Sequence, residues 1–253
     1  MNIYQLFCDV NERQIKGLPI DAETRENTTS YMLRNINRSN LSAGRSRLPA
    51  SPVRPLFFSP QYENHKFRLI TGEMPRTNML SANHYELECL RILALWRHDE
   101  ELVQSMLFRT TERINGASFG HAEGNGESAS AAIAALRFLT AVLDNSDRWL
   151  NELIHKIDGS KNGCCFYFCL ALCDVKSDAA LEVIRKNKER YMDMLGSGWL
   201  TGPSELDRYN ILRKYIIRNL LSRLDEYRWI SGARIYVSKA DGRCYCDFEQ
   251  NLP

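Results

Sequence analysis

Apolar residues recur at every third or fourth position in four long stretches of this chain, the spacing that lays one stripe along a helix. The stretches are HYELECLRILALW from His84, ASAAIAALRFLTAVL up to Leu143, CCFYFCLALCDV from Cys164 and LDRYNILRKYIIRNLLSRL up to Leu224. Each of the first three is followed by a polar break holding an aspartate and then a second amphipathic run: HDEELVQSMLFRTTERI, NSDRWLNELIHKI and KSDAALEVIRKNKERYMDML. Asp99, Ser146 or Asp147, and Ser177 or Asp178 are placed to accept hydrogen bonds from the free N–H groups of the next helix. A carboxylate there also meets the positive end of the helix dipole. With Leu90, Leu136, Leu170 and Leu212 as anchors, the units step by 46, 34 and 42 residues. Periods of roughly 34–47 residues belong to arrays in which stacked helical hairpins bury faces that one hairpin cannot. The predicted fold class is mainly α, built from stacked antiparallel helical pairs.

The period changes at the ends. Ala233–Ser238 and Arg243–Phe248 alternate, with Asp241-Gly242 between them, so a β-hairpin is predicted over 233–248. Near the start, a helix is predicted from Ile3 to about Ile15 and a second around Glu23–Asn35, with Asp21 and Thr28 as cap or turn residues. From Arg38 to His65 the helical period is lost and Ser, Pro and Arg dominate. Pro49, Pro52 and Pro55 recur every third residue, the period of polyproline II. With Arg47 and Arg54 beside them, these prolines have the form of an SH3-type docking ligand. They also suit an extended connector whose Phe57 and Phe58 tuck onto the domain, and Pro-rich connectors are commonplace, so the connector is preferred. Lys66–Thr71 reads as a short strand before Gly72. The expected division is 1–37, an N-terminal helical segment; 38–74, an extended Pro/Ser/Arg-rich crossing; and 75–253, a helical-repeat domain ending in the hairpin.

Charge narrows the partners. The 33 Lys and Arg residues are nearly matched by 31 Asp and Glu, and a net charge of +2 offers no concentrated basic field for phosphates, so nucleic acid is not an expected partner. No apolar run approaches the roughly 18 residues a transmembrane helix needs. The opening MNIYQLFCDVNERQIKG lacks the basic start and apolar stretch of a secretory signal, so a cytoplasmic location is expected. In that compartment the eight cysteines read as reduced, buried thiols.

From His84 to Ile154 the chain resembles helical-pair repeats of the α/α-toroid type found in prenyltransferases and terpene cyclases. The resemblance lies in the Tyr85–Leu95 helix, the connector Asn115-Gly116-Ala117-Ser118-Phe119-Gly120 and the small-residue helix starting near Ser128, and covers less than a third of the chain. It implies an α-solenoid or a partial α/α-toroid, and speaks to architecture, not to activity. The chain departs from those families in having neither the aspartate-rich motif of the cyclases nor an Asp/Cys/His set like the zinc site of the protein prenyltransferases. A complete toroid also needs more helical pairs than this length supplies.

The densest polar stretch is Gly120-His121-Ala122-Glu123-Gly124-Asn125-Gly126-Glu127-Ser128. Its glycines let backbone approach a ligand, and the helix that follows can receive an anion at its start. His121 with Glu123 or Glu127 suits acid–base work or metal binding, so His121, Glu123, Asn125 and Glu127 are the candidate ligand-binding residues, with Asn83–His84 as a polar region to meet them. One loop lacks the convergent groups of an active site, so a flexible turn into a helix is preferred. Cys165, Cys169 and Cys173 share a helix face, with Cys164 beside them and Cys244 and Cys246 on a strand. Without a Cys-x-x-Cys pair, and with Phe166, Phe168, Leu170 and Leu172 around them, they are assigned to the core, and neither metal nor cofactor is expected. Phosphate-loop and nucleophile-elbow patterns do not occur. Arg208, Arg213, Lys214, Arg218 and Arg223 give the last long helix a basic face, suited to RNA, lipid headgroups or an acidic protein. Interrupted by Asp207 and Asp225, that face reads as a solvated surface. The expected function is a non-enzymatic helical-repeat module whose partner is another protein. The alternative is an enzyme or small-ligand binder with its pocket at the His121–Ser128 loop.

Overall fold

Side chains and glycines set the helix ends in the computed structural model, which describes residues 2–41, 56–58, 67–75, 78–116, 126–143, 148–158, 166–204 and 207–248. Helix α1 (Ile3–Lys16) is capped by the Asn2 side chain, which accepts from the Tyr4 N–H, and it ends on Gly17 at φ 69°, the left-handed cap that glycine adopts without strain. Asp21 caps α2 (Ala22–Arg34), accepting from the Thr24 N–H at 2.7 Å, as the sequence predicts. Thr28 is instead buried within α2 and caps nothing.

Two of the predicted pairs pack together, α3 (Asn78–Arg97) with α4 (Glu101–Gly116) and α5 (Gly126–Thr140) with α6 (Arg148–Asp158), whereas α7 (Phe166–Asp174) and α8 (Asp178–Lys186) follow each other in the chain and α8 packs instead on α6. Ser177 caps α8, accepting from the Ala180 N–H at 3.3 Å. Asp99 stands one residue too early to cap α4, and its side chain is fully exposed. Ser146 and Asp147 lie outside the described residues. The run after α7, expected as one helix, is broken at Asn187, beyond which α9 (Lys188–Gly196) continues. The Asn187 amide donates to the Val183 carbonyl at 2.9 Å, a side-chain bond of the kind that competes with helix continuation.

These helices pack in two layers. Helix α3 lies against α5, α5 against α7, and α7 against α10 (Asp207–Leu221). Helix α1 then packs on both α10 and α3, so the five form a closed circuit of neighbours. Outside it, α4 and α2 cover α3, α6 covers α5, α8 packs on α6, and α9 on α10. A helix walled on several sides is buried all round, and α3 shows this: Leu87, Glu88, Cys89, Leu90, Arg91, Ile92 and Leu93 are consecutive and buried. The N-terminal helix shares this core through Phe7, Val10 and Ile15.

The crossing segment is seen at Leu56–Phe58, all three buried, as the connector reading expects for Phe57 and Phe58. Glu86 on α3 holds them: its carboxylate accepts from the N–H groups of Leu56 (2.9 Å), Phe57 (2.9 Å) and Phe58 (2.6 Å). Pro49, Pro52 and Pro55 lie outside the described residues. The strand expected at 66–71 is a turn over its described part. Leu69 donates to the Glu73 carbonyl and Gly72 back to Leu69, both at 2.8 Å, with Gly72 at φ 91°. No neighbouring strand among the described residues receives this segment.

The predicted hairpin is present as β2 (Arg234–Val237) and β3 (Arg243–Asp247), antiparallel, with Tyr236 opposite Tyr245 and Val237 opposite Cys244. Gly242, at φ 67°, turns the chain between them. A two-residue strand, β1 (Trp199–Leu200), pairs with the far edge of β3, giving the order β1-β3-β2. The sheet lies against α10.

Candidate functional site

Single polar residues break the apolar stripes of the circuit, and they meet. Helix α3 carries His84, Glu88 and Arg91, spaced by four and three residues and so on one face. Helix α1 adds Asn11 and Gln14, α5 adds Arg137, α7 adds Tyr167 and Asp174, and α10 adds Asn219.

Arg137, only 1% exposed, stands at the centre. Its Nε donates to Asp174 Oδ2 at 2.8 Å, one terminal nitrogen pairs with Glu88, and the other donates to Asn11 Oδ1 at 3.1 Å. Its guanidinium lies 5.8 Å from the centre of the Tyr167 ring, whose hydroxyl donates to Glu88 at 3.0 Å. The Asn11 amide nitrogen donates to the Phe7 carbonyl at 2.7 Å and to Glu88 at 3.3 Å. Arg91 is 6% exposed and directs both terminal nitrogens at Gln14 Oε1, at 3.2 and 3.1 Å, with Nη2 3.7 Å from Asp174 Oδ2.

Burial alone would raise the Glu88 carboxyl, but Arg137 and then Arg91 outweigh it and hold Glu88 below the usual carboxylate range. Burial likewise opposes the charge on Arg137, yet Glu88 and Asp174 push its pKa above the ordinary arginine value. Burial dominates at His84, whose pKa falls to about 4, so the imidazole is neutral at pH 7 and its Nε2 accepts from the Ile70 N–H at 3.3 Å. Two cations and two carboxylates therefore balance at the centre of the circuit. Removing one member of such a set leaves an unpaired buried charge, at about 3–5 kcal/mol.

Beside the cluster opens a cavity of ≈ 210 Å³, with walls that include Arg91, Arg137, Asp174, Asn11, Gln14 and Asn219 and an apolar part from Ile15, Leu170 and Cys173. Asp174 keeps 25% of its side chain exposed, and its Oδ1 accepts no hydrogen bond among the described residues. The N–H donors of Arg91 beyond the two on Gln14 are equally without a hydrogen bond among the described residues. Asn219 is committed, donating to the Ile15 carbonyl at 2.7 Å and accepting from Arg218 at 3.0 Å. A second hollow, ≈ 300 Å³, lies on the outside against Arg25, Glu26, Thr29, Trp96 and Arg97. There Arg97 is engaged by Glu26, Glu100 and Thr29.

The loop singled out from the sequence is not where these groups meet. His121, Glu123 and Asn125 lie outside the described residues, as does the Glu127 side chain, although Glu127 falls in the first turn of α5. Asn83 and His84, the region expected to meet that loop, are buried in α3. Cys169 and Cys244 are buried, as the core reading expects, and Cys173 contacts the Ile216 carbonyl at 3.6 Å. Cys164 and Cys165 lie outside the described residues, among which no group of three or more His, Cys, Asp or Glu residues is arranged to hold a metal.

The basic face of α10 departs from the solvated surface expected. Lys214 is fully buried and donates to the carbonyls of Met194 (2.7 Å), Leu195 (2.7 Å) and Ser197, closing the end of α9, with its ammonium 4.3 Å from the centre of the Trp199 ring. Arg213 donates to the Thr71 carbonyl at 2.9 Å, Arg218 to Ala233 at 3.1 Å, and Arg223 to Leu172 near the end of α7. These cations staple neighbouring segments to α10, because helix ends leave carbonyls that a long cationic side chain can reach.

The signal for the cavity was present in the sequence as isolated charges inside apolar helices: Arg137 within AAIAALRFLTAVL, Glu88 and Arg91 within ELECLRILALW, and Asp174 closing FYFCLALCD. Comparison with family models, curated proteins and solved structures returned no match. No helix among the described residues is long and apolar enough to cross a membrane.

Proposed function

We propose that this protein is a helical binding protein that holds a small polar molecule in the cavity between α1, α3, α5, α7 and α10. The observation that carries the reading is the convergence of polar side chains from five helices on one hollow within an apolar interior. A buried ion cluster is a poor route to stability, since apolar residues of the same volume often serve as well or better. Polar groups kept in such a place, beside an unfilled volume, are what binding sites share. At ≈ 210 Å³ the cavity is below the roughly 300–1,000 Å³ that holds drug-sized ligands, so the occupant is of small-metabolite size.

The test is thermal unfolding of the full chain against polyols, small carboxylic acids, small amines and amino acids, repeated on a Cys173→Met variant that narrows the cavity. A ligand at 100 times its Kd stabilises by about 2.7 kcal/mol, a shift easily read. The reading expects at least one class to stabilise the wild type and the variant to lose that response. It fails if no class does, or if the variant responds identically.

A second reading, the protein-interaction module, is favoured by the sheet. Among the described residues β2 is an edge strand with Tyr236 and Val237 exposed, an arrangement suited to adding a strand from another protein. A Val237→Lys change would weaken capture of such a partner and leave small-molecule binding as it was.

A further inference from the structure

We infer that the occupant of the cavity is a zwitterion of the α-amino-acid kind, its carboxylate on Arg91 and its ammonium on Asp174. The inference rests on the binding-protein reading above and adds the chemical class. Its starting point is what the cluster leaves undone. Arg137 uses all three of its nitrogens on Asp174, Glu88 and Asn11. Arg91, also buried, gives hydrogen bonds to one oxygen of Gln14, and its other N–H donors have no hydrogen bond among the described residues. Asp174 accepts at Oδ2 and accepts nothing at Oδ1 among the described residues. The two form part of the same cavity wall, with Arg91 Nη2 only 3.7 Å from Asp174 Oδ2. An unfilled cationic donor and an unfilled anionic acceptor therefore stand side by side, facing one small volume.

Three constraints select the ligand. First, the charged groups around the cavity are of both signs: Arg91 and Arg137 with Asp174 on its wall, Glu88 paired to Arg137, and Arg223 within electrostatic reach of Asp174 and Cys173. A lone anion or a lone cation would answer only one of these signs, and would leave either Asp174 or Arg91 without a charged partner on the ligand. A zwitterion adds no net charge. Second, an α-amino acid carries its carboxylate and ammonium one carbon apart, which suits two opposite charges that are themselves adjacent. A neutral amide or polyol can satisfy the same groups only with weaker, uncharged hydrogen bonds. Third, Gln14 accepts from Arg91 and keeps its amide N–H donors without a hydrogen bond among the described residues, a second donor for the carboxylate. Ile15 and Leu170 leave apolar wall for a short side chain.

The experiment is calorimetric titration of the full-length wild-type chain at pH 7 with L-serine, L-leucine and L-glutamine. Each is compared with its N-acetyl form, which lacks the ammonium, and its carboxamide, which lacks the carboxylate. At least one free amino acid should bind, and both blocked forms of it should bind more weakly by about tenfold or more, because each has lost a charge-assisted hydrogen bond. An Asp174→Asn variant should lose most of the discrimination between the free and N-acetyl forms. Equal binding of free and blocked forms, or binding of a polyol in their place, overturns the zwitterion and leaves the cavity reading standing. Failure of every compound, polyols and single-charge compounds included, overturns both. The comparison is made within the wild-type protein, so a folding defect in a variant does not decide it.

Discussion

Replacing Glu86 with glutamine should uncover an acid sensitivity that the wild-type protein conceals. His84 and Glu86 are two residues apart on α3 and both are buried, but they face different neighbours. His84 packs against the rings of Phe7 and Tyr167, 5.5 and 5.3 Å away, whereas Glu86 holds the Leu56–Phe58 amides. Burial moves the His84 pKa down from 6.5 to about 4. The folded protein then binds fewer protons than the unfolded chain between those values, so His84 withdraws stability as pH falls from 6.5 towards 4. Burial moves Glu86 up from 4.5 to about 7, against the three amides that favour its charged form. Here the folded state binds more protons, and stability is gained as pH falls from 7 towards 4.5. At about 1.4 kcal/mol per pH unit of displacement, each contribution is about 3 kcal/mol. They are opposite in sign and nearly coincident in range, so from this pair the wild type should vary little between pH 6.5 and 4.5. Glutamine keeps a carbonyl oxygen for the amides and does not titrate. Glu86→Gln should therefore lose about 3 kcal/mol more than the wild type on acidification from pH 7 to 4. Urea unfolding followed by circular dichroism at half-unit pH steps measures this directly. Parallel pH profiles for the two proteins, within about 0.5 kcal/mol, would refute the opposed-titration argument.

Arg137→Met should destabilise by about 3–5 kcal/mol in urea unfolding, since Glu88 and Asp174 lose their common partner inside the core. Gly72→Ala should cost about 2 kcal/mol or more: φ is 91°, and an added Cβ would sit 2.4 Å from the Tyr209 ring. Gly17→Ala, at φ 69° with open space around it, should cost only about 1 kcal/mol, so a larger thermal shift there than at Gly72 would contradict the geometry. Lys214→Met should cost about 2–3 kcal/mol and speed hydrogen exchange in the last turn of α9, whose carbonyls lose the ammonium.

The helices are legible in the sequence because their signals are local. Period, caps and terminal glycines act within a few residues, which is why α1, α2 and the Asp241-Gly242 hairpin fall close to where the pattern puts them. The misreadings have non-local causes. Strand β1 is two residues long and exists because β3 offers an edge, and the described part of Lys66–Thr71 meets no strand among the described residues. The charges of α10 look solvated when drawn on an isolated helix. Which carbonyls Lys214 and Arg223 reach depends on where α9 and α7 end in space. The cavity is the plainest case. Asn11, Arg91, Arg137, Asp174 and Asn219 are unremarkable one by one, and only the order in which five helices pack brings them to one place.

The closure of the helical circuit bears on how the chain is made. Helix α1 leaves the ribosome long before α10, yet it docks on α10 through a bond from Asn219 to the Ile15 carbonyl that spans 204 residues. Its polar residues must wait until α10 has been made before the wall they belong to exists. Contacts of such separation are assembled late and slowly. A chain halted before α10 would display the inner faces of α1 and α7 to whatever chaperone or aggregate reaches them first.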